Sequence, residues 1–447
     1  MKVATPPDLI EVDALRVGMF VHLDVGWMSH PFPLSSFRIA SDAQMATIRS
    51  LGLKRVRWSP QQSDPVEEPA AELQPSGLTG ETGVAAPEAL ADPASDTLAP
   101  AASAEAATLT PEAAARVEHV RRLADQRAAL VVCERQFTEA AHDCERLTAL
   151  VPTQPQQARE QAEALTTALL QKMLGEHDLC IRLLSDAAGD KASAHALNVT
   201  IISLLMGRSF GLDADDMLEL GMGAMLHDIG KILLPERMRH RDDTFSPSEA
   251  RLYEEHVAHG VTLGRKMGLT DGAMLVIAQH HEHADGSGFP LRLNADRMTA
   301  AARIVSLVNR YDNLCNPHLP GRALTPHESL SLLFAQGKNK FDTAILGGFI
   351  KMMGVYPAGS TVQLTDDRFA MVVGVNSSRP LKPRVLVHEP AVPREEALVL
   401  DLESVAGLGI RRSMKPLQLP AAALEYLAPR PRVAYFFEPT GVEPMAA

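Results

Sequence analysis

The chain has 447 residues, of which 46% are hydrophobic and 22% are charged, and its formal net charge is −12 at pH 7. This length predicts two to four domains, and the apolar fraction excludes a chain that is disordered throughout. No run of about 18 apolar residues and no apolar signal-peptide core is present, so we expect neither a membrane segment nor export. The four cysteines lack CxxC spacing and the density of a disulfide framework, which favours a cytoplasmic location.

Residues 1–62 are predicted to form a small α/β domain. The segment LIEVDALRVGMFVHLDVGW (residues 9–27) is strand-like, with Gly18 and Gly26 as breaks. Ser41 is a typical helix cap, Gly52 ends the short helix, and a strand follows it. About fifty residues is close to the minimum for an independent core.

Residues 63–108 contain nine Asp or Glu residues and no Lys, Arg or aromatic residue. Such a segment cannot bury enough apolar area to offset its ordering entropy, so it is predicted to be a disordered, acidic, Ala- and Pro-rich linker. It carries most of the net charge. The rest of the chain is then almost neutral, and we expect no binding to nucleic acid.

Residues 109–185 are predicted to be connecting helices. Thr110, followed by proline and glutamate, is a typical helix start, and the segment VPTQPQQ (residues 151–157) interrupts the helix. A second helix is predicted from about residue 157 to 185. The arginines of the first helix are interspersed with acids, which favours a solvated helix face over a nucleic-acid surface. The apolar positions of these helices fit either packing against the helical bundle or the interface of a homodimer, and the sequence leaves both open.

Residues 186–353 are almost purely helical in pattern, with seven apolar-periodic segments separated by short breaks rich in Gly, Pro or Asp. After residue 354 the pattern changes to short strands and turns, namely STVQLT, FAMVVGV and PRVLVHE. The predicted architecture is therefore a helical domain over 186–353, followed by a β-rich C-terminal module over 354–447.

Histidine is concentrated in the helical region, where eight of the sixteen histidines lie between residues 195 and 283. Several of them, and one aspartate, lie within or at the ends of apolar helices, so they can converge inside a bundle: His195, His227, Asp228, His256, His280 and His281. Neutral imidazoles with a carboxylate suit a transition metal such as Fe, Mn or Zn rather than Ca or Mg. A carboxylate between two imidazole sets can bridge two metals and promote attack on a phosphate ester.

The stretch His227-Asp228-Ile-Gly-Lys231 is the most informative part of this pattern. We expect the preceding helix to end at Gly230, which frees the backbone to turn, and Lys231 to balance the charge of a phosphate. The remaining histidines of this region are interpreted as surface residues or as supports for the ligands: His240, His259 and His283.

These motifs, together with HHEHADGSGFP at 280–290, resemble the HD-GYP domain, a family of bacterial HD-superfamily phosphohydrolases that hydrolyse cyclic di-GMP. The resemblance extends over residues 186–353. The segment LRVGMFVHLDVGWMSHPF (residues 15–32) also resembles an uncharacterised domain that often precedes HD-GYP domains. The implied fold class is mainly α, an HD-superfamily helical bundle with a small α/β N-terminal domain and a small β-rich C-terminal module.

The resemblance also implies roles for the matching residues. His195, His227 and Asp228 would hold one metal, Asp228 would bridge to a second, and His256, His280 and His281 would complete the second site. Two divalent transition metals, Fe or Mn, are expected, with a metal-activated hydroxide opening cyclic di-GMP to pGpG or onward to GMP. Asp228 and Lys231 would act in catalysis. The implied substrate contacts are Lys231, Gly286, Gly288, Phe289, Pro290 and Arg322.

Three positions depart from the family pattern. Asn309 stands where the family has an aspartate ligand of the first metal, so metal affinity should fall. Asp312, three residues later, matches the next aspartate of the family and is interpreted as structural, with a role as ligand as the less favoured alternative. Phe289 replaces the signature tyrosine, which keeps the ring and loses one hydrogen bond. Lys191 stands where some members have a carboxylate for a third metal.

Asn309 leaves two functions open. The favoured one is a metal-dependent cyclic di-GMP phosphodiesterase. The alternative is a degenerate HD-GYP module that binds nucleotide, or a GGDEF-domain partner, without turnover. Hydrolysis of another nucleotide is a third, less favoured option.

Overall fold

The computed structural model describes residues 8–23, 36–64, 110–173, 178–185, 190–241, 244–337, 339–376 and 379–439. Nearly all of the predicted linker, and Gly26, lie outside these residues. None of the described helices is both long enough and apolar enough to cross a membrane.

The N-terminal unit is a four-stranded antiparallel sheet with one helix. Its elements are β1 (Asp8–Glu11), β2 (Phe20–His22), β3 (Ser36–Arg38), α1 (Asp42–Ser50) and β4 (Arg55–Trp58), and the strand order is β1-β4-β2-β3. Ser41 caps α1 through its side chain, and Gly52 after the helix has a φ of +70°, as predicted. The core of this unit, which includes Val21, Ile39 and Ile48, is separate from the main core of the chain.

Two long helices follow. α2 (Pro111–Leu150) begins where it was predicted, with the Thr110 hydroxyl accepting from the Ala113 amide at 3.3 Å. α3 (Pro155–Met173) begins within the predicted break at 151–157, two residues before the predicted start. The prediction that the second helix continues to residue 185 is wrong, because residues Leu179–Leu183 form strand β5. All five of these residues are buried, and a short apolar run of this kind suits a central strand as well as a buried helix.

The helical bundle contains all seven of the predicted helices. They are α4 (Lys191–Phe210), α5 (Ala214–Leu226), α6 (Pro247–Met267), α7 (Asp271–Gln279), α8 (Ala300–Cys315), α9 (Pro326–Gln336) and α10 (Thr343–Met353). Each begins at a side-chain cap, Asp190, Asp213, Ser246, Thr270, Thr299, Thr325 and Asp342 respectively. These caps fix the helix starts, and the start of α4 places His195 in its second turn.

The C-terminal part is β-rich, as predicted. It contains β6 (Thr361–Leu364), β7 (Phe369–Asn376), β8 (Arg384–Val387), β9 (Val399–Asp401), β10 (Ile410–Met414), α11 (Ala421–Leu427) and β11 (Tyr435–Pro439). The strands form one antiparallel sheet in the order β10-β6-β7-β5-β11, with β8 paired to both β7 and β9. β5, which precedes the bundle in the chain, lies between β7 and β11. The sheet therefore combines segments from both sides of the bundle and shares its core with the helices.

Candidate metal centre

The six predicted ligands converge at one place inside the bundle. They come from the second turn of α4, the end of α5, the middle of α6 and the end of α7. They form two groups that share Asp228, and in each group the potential ligand atoms lie within 4.8 Å of one another: His195, His227 and Asp228, and Asp228, His256, His280 and His281. Helix ends and buried helix faces thus bring together residues that are up to 86 positions apart in the chain.

The two carboxylate oxygens of Asp228 face the two groups separately. Oδ2 lies 3.6 Å from His195 Nε2 and 3.4 Å from His227 Nε2, while these two nitrogens are 3.2 Å apart. Oδ1 lies 3.5 Å from His256 Nε2 and 3.6 Å from His280 Nε2, which are 3.4 Å apart. A carboxylate with one oxygen toward each set of imidazoles has the arrangement of a bridging ligand.

Four of the imidazoles are oriented by a hydrogen bond from Nδ1. The Nδ1 atoms of His227, His256 and His280 each donate to the carbonyl oxygen three residues earlier in the chain, at 2.6, 2.6 and 2.8 Å. His195 differs, because its Nδ1 donates to the carboxylate of Asp312 at 2.6 Å. In every case Nδ1 carries the proton, and the lone pair of Nε2 is directed toward the centre, as in histidines that bind metals.

The donor set and its environment fit divalent transition metals. Asp228 Oδ1 and His281 Nε2 are buried atoms that lack a hydrogen-bond partner in the described chain, and such atoms are costly unless something binds them. Burial lowers the pKa of His256 to about 3, and burial also lowers the pKa of His227 and of His281. These imidazoles are neutral at pH 7, which is the form that binds a metal.

Lys231 lies beside the shared carboxylate. Its Nζ atom is 2.5 Å from Asp228 Oδ2 and 5.5 Å from the centre of the Tyr253 ring. Burial alone would lower the pKa of Lys231, but Asp228 outweighs this effect and the pKa is raised. Burial alone would raise the pKa of Asp228, but Lys231 and His227 hold it well below its usual value. Both groups are therefore charged at neutral pH.

Gly230 has a different role from the one predicted. α5 ends at Leu226, and Ile229–Leu233 form a 3-10 helix, so the helix does not end at Gly230. A Cβ atom at this position would clash with the carbonyl oxygen of His256 and lie 2.5 Å from the amide nitrogen of Gly260. Gly230 is thus required for the close contact between this segment and α6 rather than for a turn.

The loop after α7 packs against the second ligand group. The ring of Phe289 stacks on His281 at 4.4 Å between centroids, so the ring at this position is retained as predicted, and the Phe289–Pro290 peptide bond is cis. Gly286 has a φ of +75°, and a Cβ at Gly288 would lie 2.5 Å from the Cα atom of Glu282. Both glycines are needed by the loop backbone itself, and their contact with substrate stays a prediction.

The sequence analysis did not identify Glu282. This buried carboxylate accepts hydrogen bonds from the amides of Leu291 and Leu293 at 2.6 and 2.8 Å, and so closes the loop around itself. Its only signal in the sequence was an acid directly after two candidate ligands.

Asn309 lies on the buried face of α8, and its Oδ1 atom accepts a hydrogen bond from Asn313 at 2.6 Å. Its part in metal binding stays a prediction. Asp312 is completely buried and contacts the outer nitrogen of His195. It therefore orients a candidate ligand, in line with the structural role expected of it, although the sequence did not identify His195 as its partner.

The rim of the centre contains further basic groups. His240 stacks on His318 with 4.1 Å between ring centroids. Burial lowers the pKa of His240 to about 4, and the neighbouring His318, Lys231 and Lys191 contribute to this shift. His240 is therefore neutral at pH 7, and Lys191 is exposed at the first position of α4. Arg322 is exposed on the 3-10 turn Pro320–Arg322, and its contact with substrate stays a prediction.

Comparison with known proteins shows which families and relatives the chain is similar to. Residues 178–345 match the family model of the HD domain, and residues 9–162 match that of a domain of unknown function (DUF3391). A cyclic di-GMP phosphodiesterase of Pseudomonas aeruginosa is 25% identical over 390 residues, which cover 85% of this chain and 84% of that protein. The cyclic di-GMP phosphodiesterase PdeB of Borreliella burgdorferi is 22% identical over 191 residues, or 43% of this chain and 50% of that protein.

Proteins with a different cyclic dinucleotide in their name are also similar. A 3'3'-cGAMP-specific phosphodiesterase of Vibrio cholerae is 28% identical over 131 residues, which cover 29% of this chain and 25% of that protein. Among solved structures, an HDG"Y"P protein from Bdellovibrio bacteriovorus matches 76% of this chain and 97% of its own, with 14% identity and a TM-score of 0.39.

Proposed function

The chain belongs to the HD-GYP family of HD-domain proteins, and on this premise we propose that it is a metal-dependent phosphodiesterase that hydrolyses cyclic di-GMP. The observation that carries the proposal is the position of Asp228, whose two oxygens each face a separate set of histidines. This arrangement suits two metals that share one carboxylate.

We propose that each residue acts as follows. His195, His227 and Asp228, with Asn309 as a further candidate, would hold one ion, and Asp228, His256, His280 and His281 would hold the other. Two such ions, Fe or Mn, would activate water and polarise the scissile phosphate.

Lys231 is the residue best suited to the charge of the phosphate. Its ammonium lies beside Asp228 on a side chain that is only partly buried, and a phosphate oxygen is a second anionic partner for the same group. The loop that contains Gly286, Gly288, Phe289 and Pro290 would form a wall of the substrate pocket, and Arg322 would make a further phosphate contact. In this proposal the basic rim attracts the dinucleotide, and Lys231 balances the charge at the reacting phosphate.

The substrate class is a cyclic dinucleotide, and cyclic di-GMP is favoured because it is named in the relative that matches most of this chain. Hydrolysis of one phosphodiester gives linear pGpG, and hydrolysis of the second gives GMP. The four described cysteines are all buried and free, which fits the cytoplasmic location that we propose. We also propose GGDEF-domain proteins as partners of this chain.

The direct test is anaerobic purification, followed by metal analysis and incubation with cyclic di-GMP or 3'3'-cGAMP. We expect about two equivalents of Fe or Mn and hydrolysis of cyclic di-GMP to pGpG or GMP, with Asp228→Ala abolishing both metal retention and turnover. Asp215→Ala, which removes an exposed carboxylate on α5, the helix before Asp228, is the matched control and should behave like the wild type. A protein that binds cyclic dinucleotide but does not hydrolyse it with metals present would instead be a binding module without turnover.

A further inference from the structure

We infer that the C-terminal strand β11 positions one half of the metal centre, through Asn198 and Asn316, which hold Asp312 against His195. The inference rests on the proposed function, because it concerns how one set of metal ligands is aligned. It assigns a role to Val433 and Tyr435, which lie outside the HD-domain match at 178–345 and close to the C-terminal end of the described residues.

The chain of contacts begins at the carboxylate of Asp312, which is fully buried on α8. Its Oδ2 atom accepts from His195 Nδ1 at 2.6 Å, and its Oδ1 atom accepts from Asn198 Nδ2 and from Asn316 Nδ2, both at 2.9 Å. These bonds fix the direction of the carboxylate. Because Asp312 keeps the proton of His195 on Nδ1, the lone pair of Nε2 stays directed at His227 and Asp228.

The two asparagines are in turn held by the backbone around the start of β11. Asn198 donates to the Val433 carbonyl oxygen at 3.0 Å and accepts from the Tyr435 amide at 3.0 Å. Asn316 donates to the same carbonyl oxygen at 2.9 Å and accepts from the Val433 amide at 2.8 Å. Each asparagine thus joins Asp312 to the strand. Neither amide can turn away from the strand without also losing its bond to Asp312.

The position of the strand is set by the sheet and not by the bundle alone. β11 pairs with β5 along its full length, and Glu438 forms ion pairs with Arg182 at 3.0 Å and with Arg384 at 2.9 Å. The Tyr435 hydroxyl also lies 3.1 Å from that of Tyr311 on α8, but this contact involves neither Asp312 nor the two asparagines. Hydrogen bonds through the two asparagines therefore connect the sheet to the carboxylate of Asp312, which orients His195.

This connection reaches only one of the two ligand groups. His256 and His280 are oriented by carbonyl oxygens of their own helices, three residues earlier, and these bonds do not involve the C-terminal strand. His227 is oriented in the same local way. A change at β11 should therefore affect the group that contains His195 and leave the group with His256 intact, whereas a general loss of packing would affect both.

The test compares Asn198→Ala and Asn316→Ala with the wild type, and uses Tyr435→Phe as the matched control. Tyr435→Phe removes the hydroxyl contact to Tyr311 but keeps the amide that Asn198 accepts from. Metal binding is measured by titrating Mn²⁺ into the metal-free protein. We expect one of the two equivalents to bind about 10- to 100-fold more weakly in the asparagine variants, as for other residues that orient metal-bound histidines, and both equivalents to be unchanged in Tyr435→Phe.

A second measurement does not depend on metal binding. In the metal-free protein, ¹⁵N NMR of labelled histidine reports which ring nitrogen of His195 carries the proton, with His195→Gln to assign the signal. We expect the Nδ1-protonated form in the wild type and in Tyr435→Phe, and a mixture of both forms in the asparagine variants. If the wild type bound no metal, the proposed function would fail, but this measurement would still decide the inference.

Folded asparagine variants that keep the wild-type proton position would overturn the inference, as would unchanged binding of both Mn²⁺ equivalents. Thermal unfolding identifies any variant that fails to fold. Asn316 is only partly buried at the end of α8, so its variant is the one least expected to unfold the protein and carries the test if Asn198→Ala does not fold.

Discussion

Asp228 determines the arrangement of the whole centre, because its two oxygens face different histidine pairs. The surrounding imidazoles can be oriented one at a time by local hydrogen bonds, but a bridging carboxylate must satisfy both groups at once. The adjacent Lys231 keeps it ionised. A single residue, two positions after the end of α5, thus belongs to both groups of candidate ligands.

Asn309→Asp should tighten metal binding, since it adds a negative charge on the buried face of α8 at the position where the family has an acid. We expect roughly tenfold tighter binding, which corresponds to about 1.4 kcal/mol, together with higher metal content after purification. Titration with Mn²⁺ measures the change. Asn294→Asp, which adds the same charge at an exposed position, is the control. Unchanged metal content and activity in Asn309→Asp would mean that residue 309 is not a ligand.

The buried histidines should make the metal-free protein sensitive to mild acid. Burial lowers the pKa of His256 to about 3, whereas the same residue in the unfolded chain titrates near 6.5. Below about pH 6.5 the unfolded state therefore binds a proton that the folded state does not. Stability is fully present above this pH and is lost as the pH falls toward 3, by up to about 1.4 kcal/mol per pH unit for one such group.

Urea unfolding of the metal-free protein at pH 7.5, 6.5 and 5.5 measures this effect. His256→Gln should reduce the slope of unfolding free energy against pH by about 1 kcal/mol per unit. His142→Gln, which removes a side chain on α2 that is 58% exposed, is the control. Equal slopes for His256→Gln and the wild type would contradict the argument.

At the scale of secondary structure, the elements with local signals were predictable. The seven bundle helices each combine a capping side chain with apolar periodicity, and both signals are encoded within a few residues. β5 lacked such a signal, because its five residues form a strand only where β7 and β11 flank them. The contacts of Asn198 and Asn316 with the backbone at the start of β11 were unpredictable for the same reason, since their partners lie more than a hundred residues away.

The contact between the 3-10 helix Ile229–Leu233 and α6 depends on the absence of a side chain at Gly230. Gly230→Ala should lower the free energy of unfolding by about 1–3 kcal/mol, as for other overpacked sites. It should also weaken metal binding, because the added methyl group clashes with the backbone of His256. Urea unfolding and Mn²⁺ titration measure the two effects.

Gly347→Ala is the matched control for this substitution. Gly347 is exposed within α10, and a Cβ there would meet no atom within 4 Å. Removal of a helical glycine should raise stability by about 0.5–1 kcal/mol without changing metal affinity. The two substitutions should therefore change the free energy of unfolding in opposite directions. A Gly230→Ala protein as stable as the wild type would show that the backbones can separate without cost.

At the scale of the whole molecule, the hydrophobic cores do not follow the domains that the sequence predicts. The N-terminal unit has its own core around Val21 and Ile48, although its length is close to the minimum for an independent core. The β-rich part was predicted as a separate module after the bundle, but its strands share one continuous core with α2 to α10. Apolar patterns identify which residues are buried, but they do not identify which elements bury one another.

This division predicts opposite results for two shortened chains. Residues 110–447 should fold, retain both metal equivalents and unfold cooperatively, because the removed unit has a separate core. Residues 1–353 should lose cooperative unfolding, because the cut removes the partners of β5 and exposes the apolar face that Tyr311 and Phe349 share with the sheet. It also removes the strand that holds Asn198 and Asn316. Circular dichroism during heating and Mn²⁺ titration compare both chains with the full-length protein. Cooperative unfolding of residues 1–353 with two metals bound would instead show that the C-terminal sheet is an independent addition to the bundle.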